Sequence, residues 1–352
     1  MAYPATIGRV HTLAVHLTTP PLVRAVLGIV TALVVFGLFL AVIRRNPVDA
    51  YAILFSGTLG SRIGLSEVGV FMVPFVLAGL AAAVPARVGL INVGGEGQIY
   101  LGAWAATGVA LYSGLGSPWL MLPAMVVAGF IGGAIWAGVA LLLRTWRNVN
   151  EVISTLLLNF VAILFVNIFV FGPWKNTGGF GYPYTAEFSS AATLPSLFGT
   201  RLHMGLALAL AAALFCYLVL ARTRWGYNMR AVGGNPEAAR RQGIPVAQYL
   251  AAAMLVGGGL AGLAGMSEVA GIQHHLRPGI SSEFGYLGFL ASWMAGHNPL
   301  TLLATGFLLA AIFVGGDLLQ IGANLPSAAM FILIGLVLFL VLGLKKDRRE
   351  AA

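Results

Sequence analysis

The residues best equipped for chemistry are the few polar ones set among apolar neighbours. One run reads Arg87-Val-Gly-Leu-Ile-Asn-Val-Gly-Gly-Glu-Gly-Gln98 and continues Ile99-Tyr-Leu-Gly-Ala-Trp104. Asn92, Glu96, Gln98 and Tyr100 can exchange hydrogen bonds with a polar solute. Gly94, Gly95 and Gly97 argue against a continuous helix there, and backbone opened at membrane depth is tolerated only against protein or a water-filled path. These four residues are therefore expected to border a path or gate. The competing reading is a tight turn at the membrane surface, with Glu96 solvated or paired with Arg87.

A second polar set follows at Asn148-Val-Asn-Glu-Val-Ile-Ser-Thr155 and Asn159. Asn150 or Asn148 suits a helix N-cap, with Glu151 in the first turn at the positive dipole end. Thr155 and Asn159 share a helix face at i, i+4. That face should point into a bundle, towards a solute route or into an interhelical hydrogen bond. The third set is basic. Between Arg222 and Gln248 lie five arginines and a short capped helix: Asn235 as N-cap, Pro236 at the first position, Glu237, Ala238, Ala239, Arg240 and Arg241 through the turn, and Gly243 as the left-handed stop. A mere tether would need no caps, so a docking element is expected.

Composition decides what positions these groups. With 59% hydrophobic and 9% charged residues and a mean hydropathy of +0.90 over 352 residues, the chain is expected to be an all-α polytopic membrane protein. Apolar runs fall near 25–43, 67–85, 93–111, 119–143, 151–172, 203–221, 249–266, 284–296, 300–315 and 326–344, about ten transmembrane helices with an interrupted third span. The eighth and ninth are short enough to form one hairpin. The segment 47–66 reads as an amphipathic helix on the outer interface. The formal charge of +9 gathers at span ends, as the positive-inside bias places it, which argues against nucleic acid as a partner.

Arg144 and Arg147, the 222–241 cluster and the tail Lys345, Lys346, Arg348 and Arg349 put their ends in the cytoplasm. The expected organisation is a cytoplasmic N-terminus at 1–24, a transmembrane domain at 25–344 with a 222–248 cytoplasmic loop and a 173–202 outer loop, and a basic cytoplasmic tail at 345–352. Arg44 and Arg45 break this scheme. Gly258 with Gly262 and Ala261 with Gly265 read as small-residue packing. Glu268, His274, His275, Arg277 and Glu283 are expected in an outer segment, and Asp317 in an outward turn. Adjacent histidines are poorly spaced as ligands from one face, so no metal site is expected, and lone Cys216 reads as a core residue. A weak echo links Gly79-Leu80, Glu96, Tyr100-Leu-Gly102 and Trp104 to Gly262-Leu263, Glu283, Tyr286-Leu-Gly288 and Trp293, as in a transporter of two weakly related halves.

No P-loop occurs, so the chain is not expected to bind ATP phosphates. No catalytic cluster is evident either, which argues against an enzyme. Acidic residues lie at span ends or in loops, which favours a partner ATPase over ion coupling. An ion-coupled secondary transporter of a small polar solute is the alternative.

The runs at 89–98, 150–159 and 233–240 resemble the permease subunits of bacterial ABC importers of the branched-chain amino acid, ribose and nucleoside group. Their nearest likeness is to the nucleoside (basic membrane lipoprotein-dependent) or simple-sugar branch. The resemblance implies that the 233–244 loop is a coupling helix seated on an ABC ATPase subunit, which carries ATP and Mg. It also implies that two permease chains, alike or different, enclose the path, and that an extracytoplasmic substrate-binding protein delivers the solute. The expected place is the bacterial inner membrane, among lipid, with both termini cytoplasmic. Aromatic residues near the path, Tyr100, Trp104, Phe160 and Trp293, can stack on a base or sugar or serve as belt and core residues.

Overall fold

The computed structural model describes residues 20–178, 181–326 and 328–344. Most of the 1–24 segment, residues 179 and 180 of the 173–202 loop, and the tail 345–352 lie outside the described residues. The α-helices are α1 Pro21–Val42, α2 Pro47–Thr58, α3 Arg62–Ala86, α4 Gly95–Tyr112, α5 Pro118–Arg147, α6 Glu151–Phe171, α7 Gly205–Arg222, α8 Arg224–Gly234, α9 Pro236–Arg241, α10 Val246–Glu268, α11 Phe284–Met294, α12 Pro299–Ala323 and α13 Ala328–Gly343. Seven of them (α1, α3, α5, α6, α7, α12 and α10 with its five-residue π extension) are long and apolar enough to cross a membrane.

Helix starts follow local chemistry. Ser61 accepts from Gly64 N–H (2.9 Å), Asn150 from Val152 N–H (2.8 Å) and Asn298 from Leu300 N–H (3.0 Å), each satisfying an orphan donor. Asn148 closes α5 in the left-handed conformation (φ 51°). Glu151 pairs with Arg144 across the α5–α6 turn in addition to standing in the first turn of α6.

Contacts fix which ends lie together. The C-terminus of α3 meets the 222–248 loop and the start of α12: Gly233 abuts Arg87, and Arg87 Nη2 donates to His297 O (2.8 Å). This basic end also carries Arg144 and Arg147. At the opposite end Arg62 Nη2 donates to Phe198 O (2.6 Å) and Arg201 pairs with Glu67 (2.8 Å). There Arg45 Nη2 donates to Asn324 O (3.1 Å), the left-handed cap of α12. That bond gives Arg45 a local reason for its place, because cations suit helix C-termini.

Helices α3 and α10 form the centre, with 83% and 72% of their membrane windows buried. Glycine permits this closeness. A side chain at Gly262 would strike the Gly129 carbonyl of α5, and one at Gly102 of α4 would strike Gly262. The small-residue face of α10 therefore packs against α4 and α5 together. Gly288 of α11 rests on Gly79 of α3 in the same manner, a Cβ there lying 2.8 Å from Gly79 N.

Several expectations need correction. The irregular backbone is at 87–94, and α4 runs unbroken from Gly95, with Gly95 and Gly97 inside it. Those glycines serve close approach: a Cβ at Gly97 would lie 3.0 Å from Asn159 Cα, Ala162 Cβ and the Trp136 indole nitrogen. The 47–66 segment divides, α2 ending at Thr58 and α3 starting at Arg62. The presumed short ninth span is the 25-residue α12, whereas α11 has only 11 residues. Asp317 lies within α12 rather than in a turn. Glu268 is the buried last residue of α10 and receives a hydrogen bond from Gln273 (3.0 Å). The segment 190–203 tucks His203 against Gly271; burial, with His274 adding to it, pushes its pKa down to about 4. A neutral ring leaves Nδ1 free to accept from Gly205 N–H (3.1 Å).

Candidate functional site

The polar residues of the 87–98 run converge with those of α6. Asn92 and Gln98 form a reciprocal amide pair, Asn92 Nδ2 donating to Gln98 Oε1 (3.0 Å) and Gln98 Nε2 to Asn92 Oδ1 (2.9 Å). Asn92 also donates to Ala81 O of α3 (3.1 Å) and accepts from Gly94 N–H (3.0 Å). Thr155 accepts from Val93 N–H (3.2 Å). Asn159 accepts from Gly97 N–H (2.8 Å) and donates to Val93 O (3.0 Å) and to the Tyr286 hydroxyl (3.1 Å). All four polar side chains are buried. Side chains thus supply the partners that opened backbone needs away from water.

Glu96 is buried and accepts from Gly285 N–H (2.8 Å), so its carboxylate sits at the N-terminus of α11. This corrects the reading that Glu96 is solvated or paired with Arg87. Gly95 and Gly285 face each other here, and a Cβ at Gly285 would collide with the Glu96 backbone. Helix α4 and the 11-residue α11 therefore meet N-terminus to N-terminus inside the bundle.

Tyr100 is buried one turn further along α4. Trp104 belongs elsewhere: it stacks on Trp174 (5.6 Å, 7°) among Phe165 and Phe169. Phe160 is 58% exposed on the outer face of α6. Trp293 stands beside His297 (5.1 Å) at a cleft of about 180 Å³ that Asn92, Ile91 and Phe289 also line.

At the basic end Asn235 closes α8 and caps α9, its Oδ1 accepting from Glu237 N–H (3.1 Å) and Ala238 N–H (3.0 Å). Pro236 takes the first position, and Gly243 follows the helix at φ +80°. Glu237 pairs with Arg240 (3.0 Å) and Arg241 (3.4 Å), all exposed, while Ala239 is buried. A second helix, α8, precedes the expected one. Thr223 caps it and Arg230 ties it to Leu220 O at the end of α7 (2.5 Å). Gly233, on its last turn, touches the Arg87 carbonyl, with Gly89 N 3.3 Å from where its Cβ would be. The capped loop and the irregular 87–94 backbone are thus in direct contact.

The family model described as "Branched-chain amino acid transport system / permease component" matches residues 64–342. The chain is also 38% identical over 329 residues to the glucose ABC transporter permease protein TsgB13 of Haloferax volcanii, covering 90% of this chain and 86% of that one. The chain belongs to this permease family. The permease is similar as well to the guanosine ABC transporter permease protein NupP of Bacillus subtilis (27% identity, 91% and 92% coverage). A third relative is the nucleoside ABC transporter permease protein NupB of Lactococcus lactis subsp. cremoris (29%, 80% and 81%). The permease is accordingly a multi-pass membrane protein of the ABC transporter class, a family that implies an ATPase and a substrate-binding protein as partners.

Sequence reading places Tyr286 in the 284–296 span and Glu283 in the outer segment just before it, and does not bring either to this site, yet Phe284 packs on Phe71 (6.0 Å), Phe75 (5.9 Å) and Phe313 (6.4 Å), all near the middle of α3 or α12. The echo between Glu96–Tyr100 and Glu283–Tyr286 was the available signal. Among the described residues no group of three or more His, Cys, Asp or Glu could hold a metal ion.

Asn159 ties three elements together, so Asn159→Leu strands the Gly97 donor, the Val93 acceptor and the Tyr286 hydroxyl. It is expected to cost about 1–3 kcal/mol, the range for leaving buried polar groups unsatisfied. Thermal unfolding in detergent reads the loss; an unchanged midpoint would remove Asn159 from this role.

Proposed function

We propose that the permease forms the path of an ATP-driven importer for a sugar or nucleoside. In this reading ten passages cross the membrane, with α4, α11 and α13 completing the seven named above, and two inverted halves led by α3 and α10 surround the junction of α4 and α11. Both termini and the 222–248 loop are cytoplasmic. ATP and Mg are held by a separate ABC ATPase, and this chain holds no cofactor. A second permease chain completes the path, and an extracytoplasmic binding protein delivers the solute. Asn92, Glu96, Gln98, Tyr100, Thr155 and Asn159 form the wall that gates it.

The observation that carries this reading is the contact of Gly233 with Arg87 beside an exposed, capped α9. An ATPase that moves α9 also moves α8, and through Gly233 it presses on the backbone whose hydrogen bonds hold Asn92, Thr155 and Asn159. Switching between outward- and inward-open states then needs only a rigid shift of packed elements. The glucose, guanosine and nucleoside relatives support a solute carrying a sugar ring.

Charge reversal at Arg240 and Arg241 is expected to reduce ATPase association and uptake at least about ten-fold, as loss of a few charged contacts does. Gly inserted into 236–242 should have the same effect by breaking α9. If both changes leave association and uptake intact, α9 is not the coupling element.

A further inference from the structure

Helix α11 presents one face that its own chain does not cover. Ser282 and Glu283 are exposed, Tyr286 and Phe289 are half-buried, and Trp293 is 38% exposed, whereas Phe284, Gly285, Leu287, Gly288, Ala291 and Ser292 are buried against α3, α4 and α12. The polar top of this face lies midway along the helices that are long enough to cross a membrane. Phe284, next to Glu283, contacts residues ten and fourteen along the 25-residue α3 and residue fifteen along the 25-residue α12. The gap between Glu283 and the nearest aqueous surface is therefore several helical turns.

An exposed carboxylate at that depth is too costly to face hydrocarbon, and such groups face a bundle interior or a water-filled cavity. The backbone points the same way. Glu283 holds a left-handed conformation (φ 65°), unusual for a residue with a side chain, and Ser281 rather than Glu283 accepts from Phe284 N–H (3.1 Å) at the helix start. Glu283 is thus spared from capping. Among the described residues it makes no ion pair. Below it, Tyr286, Phe289 and Trp293 follow at helical spacing down to the cleft of about 180 Å³ that ends on Asn92.

We propose that this face of α11 lines the aqueous path and that Glu283 is its charge filter, admitting uncharged polyhydroxylated solutes and repelling anionic ones such as phosphorylated sugars and nucleotides. This rests on the importer reading and deepens it. The carboxylate accepts hydrogen bonds from vicinal hydroxyls, and the aromatic stripe offers ring faces to the C–H face of a sugar. An anion entering a low-dielectric passage beside a fixed carboxylate meets repulsion that bulk water would screen.

The test uses the full chain assembled with its ATPase in proteoliposomes. Single cysteines replace Ser282 and, as a control on the lipid-facing side of α1, the 58% exposed Val34; native Cys216 is buried. The probes are a cationic and an anionic water-soluble methanethiosulfonate. Ser282→Cys is expected to react with the cationic reagent at least about ten-fold faster than Val34→Cys. It should also prefer the cationic over the anionic reagent about ten-fold more than a small thiol in solution does, and Glu283→Gln in that background should remove most of the extra preference. Equal slow rates at 282 and 34, or a charge preference unmoved by Glu283→Gln, would overturn the proposal. A complex that binds its ATPase and hydrolyses ATP while giving either result leaves the importer reading standing; failure to bind any ATPase would instead overturn that reading.

Discussion

Gly262→Val is expected to abolish accumulation of folded permease. The new Cβ would strike the Gly129 carbonyl and press on Gly133 N (3.0 Å), while Gly102 packs on the same position from α4. These neighbours are backbone atoms of two other helices, α5 and α4, so no side-chain rotation can relieve the clash. Overpacking in a core that can adjust costs about 1–3 kcal/mol, and a clash between main chains at a three-helix contact should exceed that range. Gly335→Val in α13 is the control, since nothing lies within 4 Å of its Cβ. Size-exclusion profiles in detergent should show aggregate for the first variant and a wild-type peak for the second. A monodisperse Gly262→Val protein of normal thermal stability would mean that the α4–α5–α10 contact is looser than described.

Gly233→Val tests transmission. Its side chain would push against the Arg87 carbonyl and Gly89, the point where α8 leans on the irregular 87–94 backbone. Asn235, Glu237, Arg240 and Arg241 are untouched, so ATPase binding should persist. Uptake is expected to fall more than about ten-fold with ATP hydrolysis retained, because misplacing a coupled element by an ångström has effects of that order. Gly234→Ala, one residue on and with no atom within 4 Å of the added Cβ, should be neutral. Normal uptake by Gly233→Val would show that the loop and the irregular segment move independently.

Much of the fold was legible because membrane helices announce themselves by length and hydropathy, and the caps of α9 because Asn235, Pro236 and Gly243 act through their immediate neighbours. The polar residues of the site were legible by type, since Asn92, Glu96, Gln98 and Asn159 are costly in an apolar setting. Their partners were not. Which carbonyl Asn159 reaches, or that Glu96 meets Gly285, depends on contacts between residues far apart in the chain. The glycines at 94–97 misled for a related reason: glycine that breaks a helix and glycine that admits a neighbouring helix read alike in sequence, and only Asn159 and Gly285 packed alongside tell them apart. Glu283 stands one residue before the apolar run at 284–296, and sequence alone does not show that this short helix starts beside the middle of α3 and α12 rather than at their ends. Arg45 looked like an error in the charge pattern until its partner, the Asn324 carbonyl, came into view.

The central claim is that a separate ATPase drives this chain through the α8–α9 loop. Purification of the full chain from its native membrane in mild detergent, with mass spectrometry of what accompanies it, tests this most directly. The account predicts a stoichiometric P-loop ATPase that is lost on charge reversal at Arg240 and Arg241. Recovery of the chain alone, transporting solute in proteoliposomes under an ion gradient without ATP, would contradict it.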